Sequence, residues 1–261
     1  MIQATRKTVC AIIPAFGEAR FIGTVVCGIL EHLDHVIVVD DYSPDQTTTV
    51  ARDAGAEVIR HSENLGKGAA IKTGLRKVAD RYRFFLFLDG DGQHDPAEIP
   101  KFLAKATATQ AHLIVGNRMW NATGMPAIRR WTNKFMSWQI SGLCRRKVLD
   151  SQSGFRLARY ELLPYLNESH DGFAFETENL LLAARHGFQI EFVPIRTIYG
   201  DERSKVKPMR DTFRYIRLLA KYRSDGGIDR RVVFKPKTEK PNKPIRPLTI
   251  LRSTAESGKQ P

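Results

Sequence analysis

Cysteine is scarce in this chain of 261 residues. Its three copies, Cys10, Cys27 and Cys144, are odd in number, far apart and without metal-finger spacing. That excludes a disulfide framework and fits a reduced, cytoplasmic compartment. No apolar run approaches the roughly 20 residues that cross a bilayer as a helix. The opening MIQATRKTVCAIIP is too briefly apolar, and too strand-like, for a signal peptide. Internal repeats are absent, as is the Gly-x-x-x-x-Gly-Lys-Ser/Thr phosphate loop. What remains is a chain 42% hydrophobic, with formal net charge +13 and an isoelectric point near 9.8. Its length supports a real core. A basic balance suits nucleic acid, an anionic membrane or a phosphorylated substrate, and does not choose among them.

Hydrophobic patterning divides the first half into alternating strands and helices. Strands are expected at 9–13, 35–39, 56–60, 84–88 and 112–116, with helices near 18–32, 45–54, 67–80 and 96–108. This alternation implies a parallel sheet whose ligands bind at the strands' carboxyl ends. A helix over 126–146 follows, with Trp131, Phe135 and Trp138 on one stripe. Such stripes are mostly core. The flanking Arg129, Arg130, Arg145 and Arg146 leave a lipid-facing role open. A short strand near 153–158, a helix near 175–186 and a strand near 190–195 come next. Residues 211–223 form an amphipathic basic helix, with Phe213, Ile216, Leu219 and Ala220 on one face and Arg214, Arg217, Lys221 and Arg223 around the other. Helices of this kind lie in membrane interfaces or pack on their own domain. Residues 224–261 hold nine Lys/Arg against four Asp/Glu, with Gly226, Gly227, Pro236, Pro241, Pro244 and Pro247, and read as a disordered basic tail.

Polar clusters follow the expected strands, where that sheet places ligands. The most informative is Asp89-Gly90-Asp91-Gly92-Gln93, at the end of an apolar run. Two carboxylates one residue apart, relieved by glycines, read as an oxygen-ligand site for Mg²⁺ or Mn²⁺. Such an ion completes its shell with water and substrate phosphates; an acidic turn is the plainer reading. Asp40-Asp41-x-Ser43-Pro44-Asp45 offers acceptors for a base or ribose, with Ser43 or Asp45 capping the next helix. Asn64-x-Gly66-Lys67-Gly68 opens a helix whose amides suit an anion, or is a tight turn. Gly116-Asn117-Arg118 brings a guanidinium to the same edge, where it is either a diphosphate ligand or an ion-pair partner. Ser153-Gly154-Phe155-Arg156 and Arg203-Ser204-Lys205 add small cationic clusters. A metal with converging cations is what a departing nucleoside diphosphate requires.

The ordered set I-I-P-A-F-G-E (12–18), V-D-D-x-S-P-D (39–45), N-x-G-K-G (64–68), D-G-D-G-Q-H (89–94), G-N-R (116–118), S-G-F-R (153–156) and S-K (204–205) resembles family-2 glycosyltransferases of the GT-A fold. Within them it is most similar to the polyprenyl-phosphate, dolichol-phosphate mannose synthase-like branch. The resemblance spans roughly 8–222. It implies a single Rossmann-like α/β domain over 1–223, with a mainly parallel sheet flanked by helices. The nucleotide-sugar half would cover about 8–118 and the acceptor half about 119–210, followed by the helix 211–223 and the tail 224–261. By the resemblance, Asp89, Asp91 and Gln93 hold the divalent ion. Pro14, Phe16, Glu18, Val39, Asp40, Asp41, Lys67, Gly90 and Arg118 bind the nucleotide sugar. Ser153, Arg156 and Arg130 serve the acceptor, and Arg203 and Lys205 close over the diphosphate. Phe16-Gly17 in place of the commoner Tyr-Asn, and Gly90 in place of a frequent Ala, are mild departures. A basic polar tail where many relatives carry transmembrane helices is a larger one.

The activity implied is inverting transfer of a hexose from a nucleotide sugar (GDP-mannose, UDP-glucose or a UDP-N-acetylhexosamine) to a polyprenyl phosphate. The enzyme would sit peripherally on an anionic membrane's inner face, with no nucleic-acid partner. A phosphate acceptor is already ionised at neutral pH and needs no general base. Two alternatives stand beside it. One is transfer to a sugar hydroxyl, which needs a base such as Asp150, Glu176 or Glu178. The other is a non-catalytic nucleotide- or nucleic-acid-binding protein.

Overall fold

The computed structural model describes residues 3–122, 124–166, 175–198, 215–220 and 222–223. Seven strands form one sheet: β1 (Val9–Ala15), β2 (Val36–Asp40), β3 (Glu57–Arg60), β4 (Phe84–Phe87), β5 (Leu113–Asn117), β6 (Arg156–Arg159) and β7 (Ile190–Pro194). Their order is β3-β2-β1-β4-β6-β5-β7. Every pairing is parallel except those of β6, which runs antiparallel to both β4 and β5. Helices α1 (Ile22–Leu30), α2 (Thr47–Asp53), α3 (Lys67–Val78), α4 (Ile99–Thr109), α5 (Ala127–Cys144), α6 (Leu163–Leu166) and α7 (Phe175–Arg185) connect and cover the strands.

Strand alternation builds two cores, one on each side of the sheet. Val9, Ala11 and Ile13 of β1 face one side with Val25, Ile29 and Phe102 of α1 and α4. Cys10 and Ile12 face the other with Ile71, Leu75, Leu180 and Leu181 of α3 and α7. Both faces are covered, so β1, β2 and β4 are near-continuous apolar runs. This is the α/β architecture expected. The expected elements of the first half lie within a few residues of the observed ones, although the first helix begins only at Ile22, after a loop at the site edge.

Two amphipathic expectations are corrected. In α5 the buried residues are Asn133, Ser137, Ile140 and Cys144, whereas Trp131, Phe135 and Trp138 face solvent. The stripe is therefore not core. In the last described helical turns, at 215–220 and 222–223, the buried side is Leu218, Leu219 and Tyr222, packed into the α3/α7 core. Ile216 and Ala220 are exposed. Leu218, Leu219 and Tyr222 follow the helical i, i+1, i+4 rule for one face, set one step away from the face read by hydropathy. Phe213, Arg214, Lys221 and the tail 224–261 lie outside the described residues.

Candidate active site

The carboxyl ends of β1, β2, β4 and β5 meet in one cleft edge. The first two are stitched together through backbone amides. Gly17 N–H donates to Ser43 Oγ at 2.9 Å, Glu18 N–H to Thr47 Oγ1 at 2.8 Å and Ala19 N–H to Asp45 Oδ2 at 3.2 Å. Asp45 also accepts from Thr47 N–H at 3.0 Å, one residue ahead of Gln46, the N-cap of α2. Glu18 and the exposed Phe16 thus sit on a loop held against the β2–α2 turn, just past Pro14 near the end of β1. Tyr42 in that turn has φ 67, a left-handed backbone unusual for an aromatic residue. Its ring is exposed, with the Arg60 guanidinium 5.9 Å from the centroid.

Asp40 and Asp41 are buried, and their carboxylates are engaged within the protein. Asp40 accepts from Ser43 N–H at 2.8 Å and from the Thr48 hydroxyl. Asp41 accepts from Leu65 N–H at 2.8 Å and Gly66 N–H at 2.7 Å, and pairs with His61 Nδ1 at 2.8 Å. The Asn64–Gly68 amides expected to meet an anion are partly taken by Asp41. Both aspartates, expected at the base or ribose, hold the loops at this rim together. The Val39 side chain is fully buried with Ile12 and Ile37, because β2 is covered on both faces.

The end of β4 carries the acidic motif. Gly92 has φ 74, a conformation glycine adopts freely. It turns the chain so that Gln93 N–H donates to Asp91 Oδ1 at 3.0 Å. Lys67, first residue of α3, places Nζ 2.6 Å from Asp89 Oδ1 and 2.5 Å from Glu176 Oε1. Burial pushes the Lys67 amine down, but the two carboxylates outweigh it and hold its pKa above the ordinary lysine value. Burial likewise raises Asp89, and Lys67 more than reverses this, so Asp89 stays ionised. His94 Nε2 lies 3.9 Å from Asp89 Oδ2. Burial lowers its pKa to about 4, leaving the ring neutral at pH 7. Behind Asp89 stands Gly154: a Cβ there would lie 2.3 Å from Asp89 Oδ2. Gly90 is buried, its own Cβ position 3.1 Å from Ile22 Cδ1.

Asp89 and Asp91 supply anionic oxygens, both half-exposed, and Gln93 a neutral one. Hard oxygen donors of this kind fit Mg²⁺ or Mn²⁺. Among the described residues no group of three His, Cys, Asp or Glu side chains forms a closed metal cage, so further ligands would come from water and substrate.

At the end of β5, Arg118 is fixed by a two-point contact. Its Nε donates to Asp150 Oδ2 at 2.8 Å and Nη2 to Asp150 Oδ1 at 2.9 Å. Asn133 Nδ2 and Gln152 N–H donate to the same carboxylate at 2.9 and 3.1 Å. Burial raises the Asp150 pKa, and Arg118 outweighs it and brings it below the ordinary value. Asp150 is thus an anchor, fully buried, and not a candidate base; Glu176 and Glu178 are buried as well. Arg156, expected at the acceptor, is held within the protein. It is buried, and it donates to Ser153 O, Glu176 O and Ser151 O at 2.7, 2.6 and 3.0 Å. It braces two backbone segments, Ser151–Ser153 and the start of α7. Ser153 is buried beside it, while Arg130 is exposed on α5. Arg203 and Lys205 lie outside the described residues.

Sequence reasoning missed the parts that act from behind. Gly154 was legible only as part of S-G-F-R, and the salt link of Lys67 joins residues 67, 89 and 176, which no local spacing connects.

A mainly parallel α/β sheet with an acidic motif and cations at its carboxyl edge is the arrangement that suits a nucleoside diphosphate. Residues 10–165 match the Glycosyl transferase family 2 model; the chain belongs to that family and has the GT-A fold of a glycosyltransferase. It is 31% identical over 219 residues to the UDP-N-acetylglucosamine–dolichyl-phosphate N-acetylglucosaminyltransferase of Methanococcus voltae, covering 75% of this chain and 87% of that one. It is 28% identical over 242 residues to the dolichol-phosphate mannosyltransferase of Pyrococcus furiosus, covering 87% and 67%. Among solved structures, glucosyl-3-phosphoglycerate synthase from Mycobacterium tuberculosis bound to UDP superposes with a TM-score of 0.63 at 22% identity, covering 86% and 82%.

Proposed function

We propose that this glycosyltransferase moves a hexose from a nucleotide sugar to a polyprenyl phosphate, as a protein attached peripherally to a membrane. The observation that carries the reading is the acidic motif Asp89–Gln93 at the end of β4, whose Asp89 pairs with Lys67 and lies in the field of Arg118. Relatives named for dolichyl-phosphate acceptors support the choice of acceptor.

A divalent ion held by Asp89, Asp91 and Gln93 would screen the donor diphosphate and help it depart. The chain's own residues do the rest. Pro14 near the end of β1, with Phe16 and Glu18 on the loop stitched to the β2–α2 turn, lines the donor side. Asp150 holds Arg118 in one orientation at the phosphate end of the cleft. Lys67 keeps Asp89 anionic and in place, and Gly154 lets Asp89 pack without a side chain behind it. The acceptor phosphate, with a second pKa near 6, attacks the anomeric carbon in line without losing a proton to the enzyme. Engagement of Asp150 by Arg118 and of Glu176 by Lys67 accords with a site that has no general base.

The test is a donor screen with GDP-mannose, UDP-glucose and UDP-N-acetylhexosamines, Mn²⁺ and a short polyprenyl phosphate, following release of GDP or UDP. Transfer should rise with pH through about 6 and then level off. Asp91→Asn should fold normally and lose turnover by orders of magnitude, since a charged ligand beside the diphosphate is gone. Robust transfer to a free sugar hydroxyl, with polyprenyl phosphate inert, would replace the proposed acceptor.

A further inference from the structure

The outer face of α5 contradicts the usual rule for a surface helix. Ile128, Trp131, Phe135 and Trp138 recur at i, i+3, i+7 and i+10, which places them within an arc of about 80° at 100° per residue. They are 79, 69, 57 and 70% exposed, and Trp120, just before the helix, is 75% exposed. The inner face, on the opposite side, is buried and partly polar: Asn133 and Ser137 point to Asp150 and Ser151. The helix therefore turns its large apolar side chains to solvent and its amides and hydroxyls to the protein. A contiguous exposed apolar patch marks an interaction surface.

Charge selects the partner. Between Glu98 and Asp150 the sequence has no acidic residue. Arg129, Arg130, Lys134, Arg145 and Lys147 are exposed on or beside α5, so cations border the aromatic stripe. Tryptophan with flanking Arg and Lys is the composition that sits at a bilayer's headgroup level, the rings in the interface and the cations on anionic headgroups. No helix among the described residues is long and apolar enough to cross a membrane, and α5 with its polar inner face is suited to lie in the interface plane. We infer that the exposed face of α5, with Trp120, docks on an anionic lipid bilayer. This rests on the proposed function in one respect, that a polyprenyl phosphate resides in such a bilayer. The same helix supplies Asn133 to the Asp150–Arg118 pair. Docking by this face would thus bring Arg118 close to the membrane plane, where a lipid phosphate emerges.

The molecule carries its own reporter, because its three tryptophans are Trp120, Trp131 and Trp138, all exposed and the latter two on this face. The full chain should co-sediment with vesicles of phosphatidylcholine and phosphatidylglycerol lacking polyprenyl phosphate. Its tryptophan emission should shift to the blue, and brominated lipids should quench it. Binding should weaken as salt is raised. An Ile128→Ser/Phe135→Ser variant, altered only at exposed positions and retaining all three tryptophans, should lose vesicle affinity by at least about tenfold. It should keep its transfer rate on a detergent-dispersed short acceptor. Co-sedimentation with unchanged emission would overturn the assignment, as would a variant that binds like the wild type. A dimer in lipid-free buffer whose tryptophans are already shielded would also overturn it, by assigning the face to a second copy. Vesicle docking without transfer to any polyprenyl phosphate would keep the docking face and remove the proposed acceptor.

Discussion

Asp89 shows how tightly one residue of this site is determined. Its carboxylate has Lys67 on one oxygen and, behind the other, space that exists only because residue 154 has no side chain. A methyl group at 154 would fall 2.3 Å from Asp89 Oδ2, well inside any tolerable contact. Gly154→Ala should therefore displace Asp89, lowering Mn²⁺ affinity and turnover together. Mn²⁺ titration by electron paramagnetic resonance, beside the nucleotide-release assay, would read both. A variant with wild-type Mn²⁺ affinity would show that Asp89 has room to move. Arg156 carries the opposite lesson. A guanidinium inside a small-residue motif looks like a ligand, yet three backbone carbonyls take its donors, and burial lowers its pKa to about 10.

Among elements, α5 and the segment leading to β6 act as one support for the end of β5. Asp150, just upstream of β6, receives Arg118 from the end of β5 and Asn133 from α5. Removing one partner of a buried ion pair leaves the other uncompensated and costs about 3–5 kcal/mol. Asp150→Asn should lower stability toward that range in urea unfolding, and should reduce turnover through a loosened Arg118. The pH dependence has a definite sign. The folded-state pKa of Asp150 lies below its ordinary value, so its stabilisation is complete above the unfolded carboxylate pKa of about 3.9 and fades as pH falls through the lower folded value. Wild-type stability should therefore drop in that acid window, and Asp150→Asn should lack this part of the drop. Parallel acid-unfolding curves for the two proteins would refute the account.

For the whole molecule, burial separates the three thiols. Cys10 lies in the sheet and Cys144 at the buried end of α5, and burial pushes both pKa values up to about 12. Cys27 is exposed on α1. Since the thiolate is the reactive form, a water-soluble thiol reagent should modify one cysteine quickly in the native protein and all three after denaturation. Mass mapping should place the fast adduct on Cys27. Rapid modification of Cys144 would mean that the seat of α5 opens readily, and would weaken any role for that helix as a rigid platform.

How much was legible before any tertiary contact follows from the range of each cause. The alternation of apolar runs with helix-period segments, and the polar clusters after each run, are local properties. They placed the strands of the first half, the acidic motif at the end of β4 and Arg118 at the end of β5, because a parallel sheet puts its ligand edge at strand carboxyl ends. Other features depend on what each element packs against. The antiparallel course of β6 is set by its neighbours β4 and β5. Val39, Asp40 and Asp41 turn inward because β2 is covered on both faces and its edge must hold the β3–α3 loop. The hydropathy of α5 identifies an amphipathic helix but not which side meets the protein. That was decided by Asp150, a buried charge 17 residues from Asn133, which needs polar partners more than the aromatic stripe needs cover.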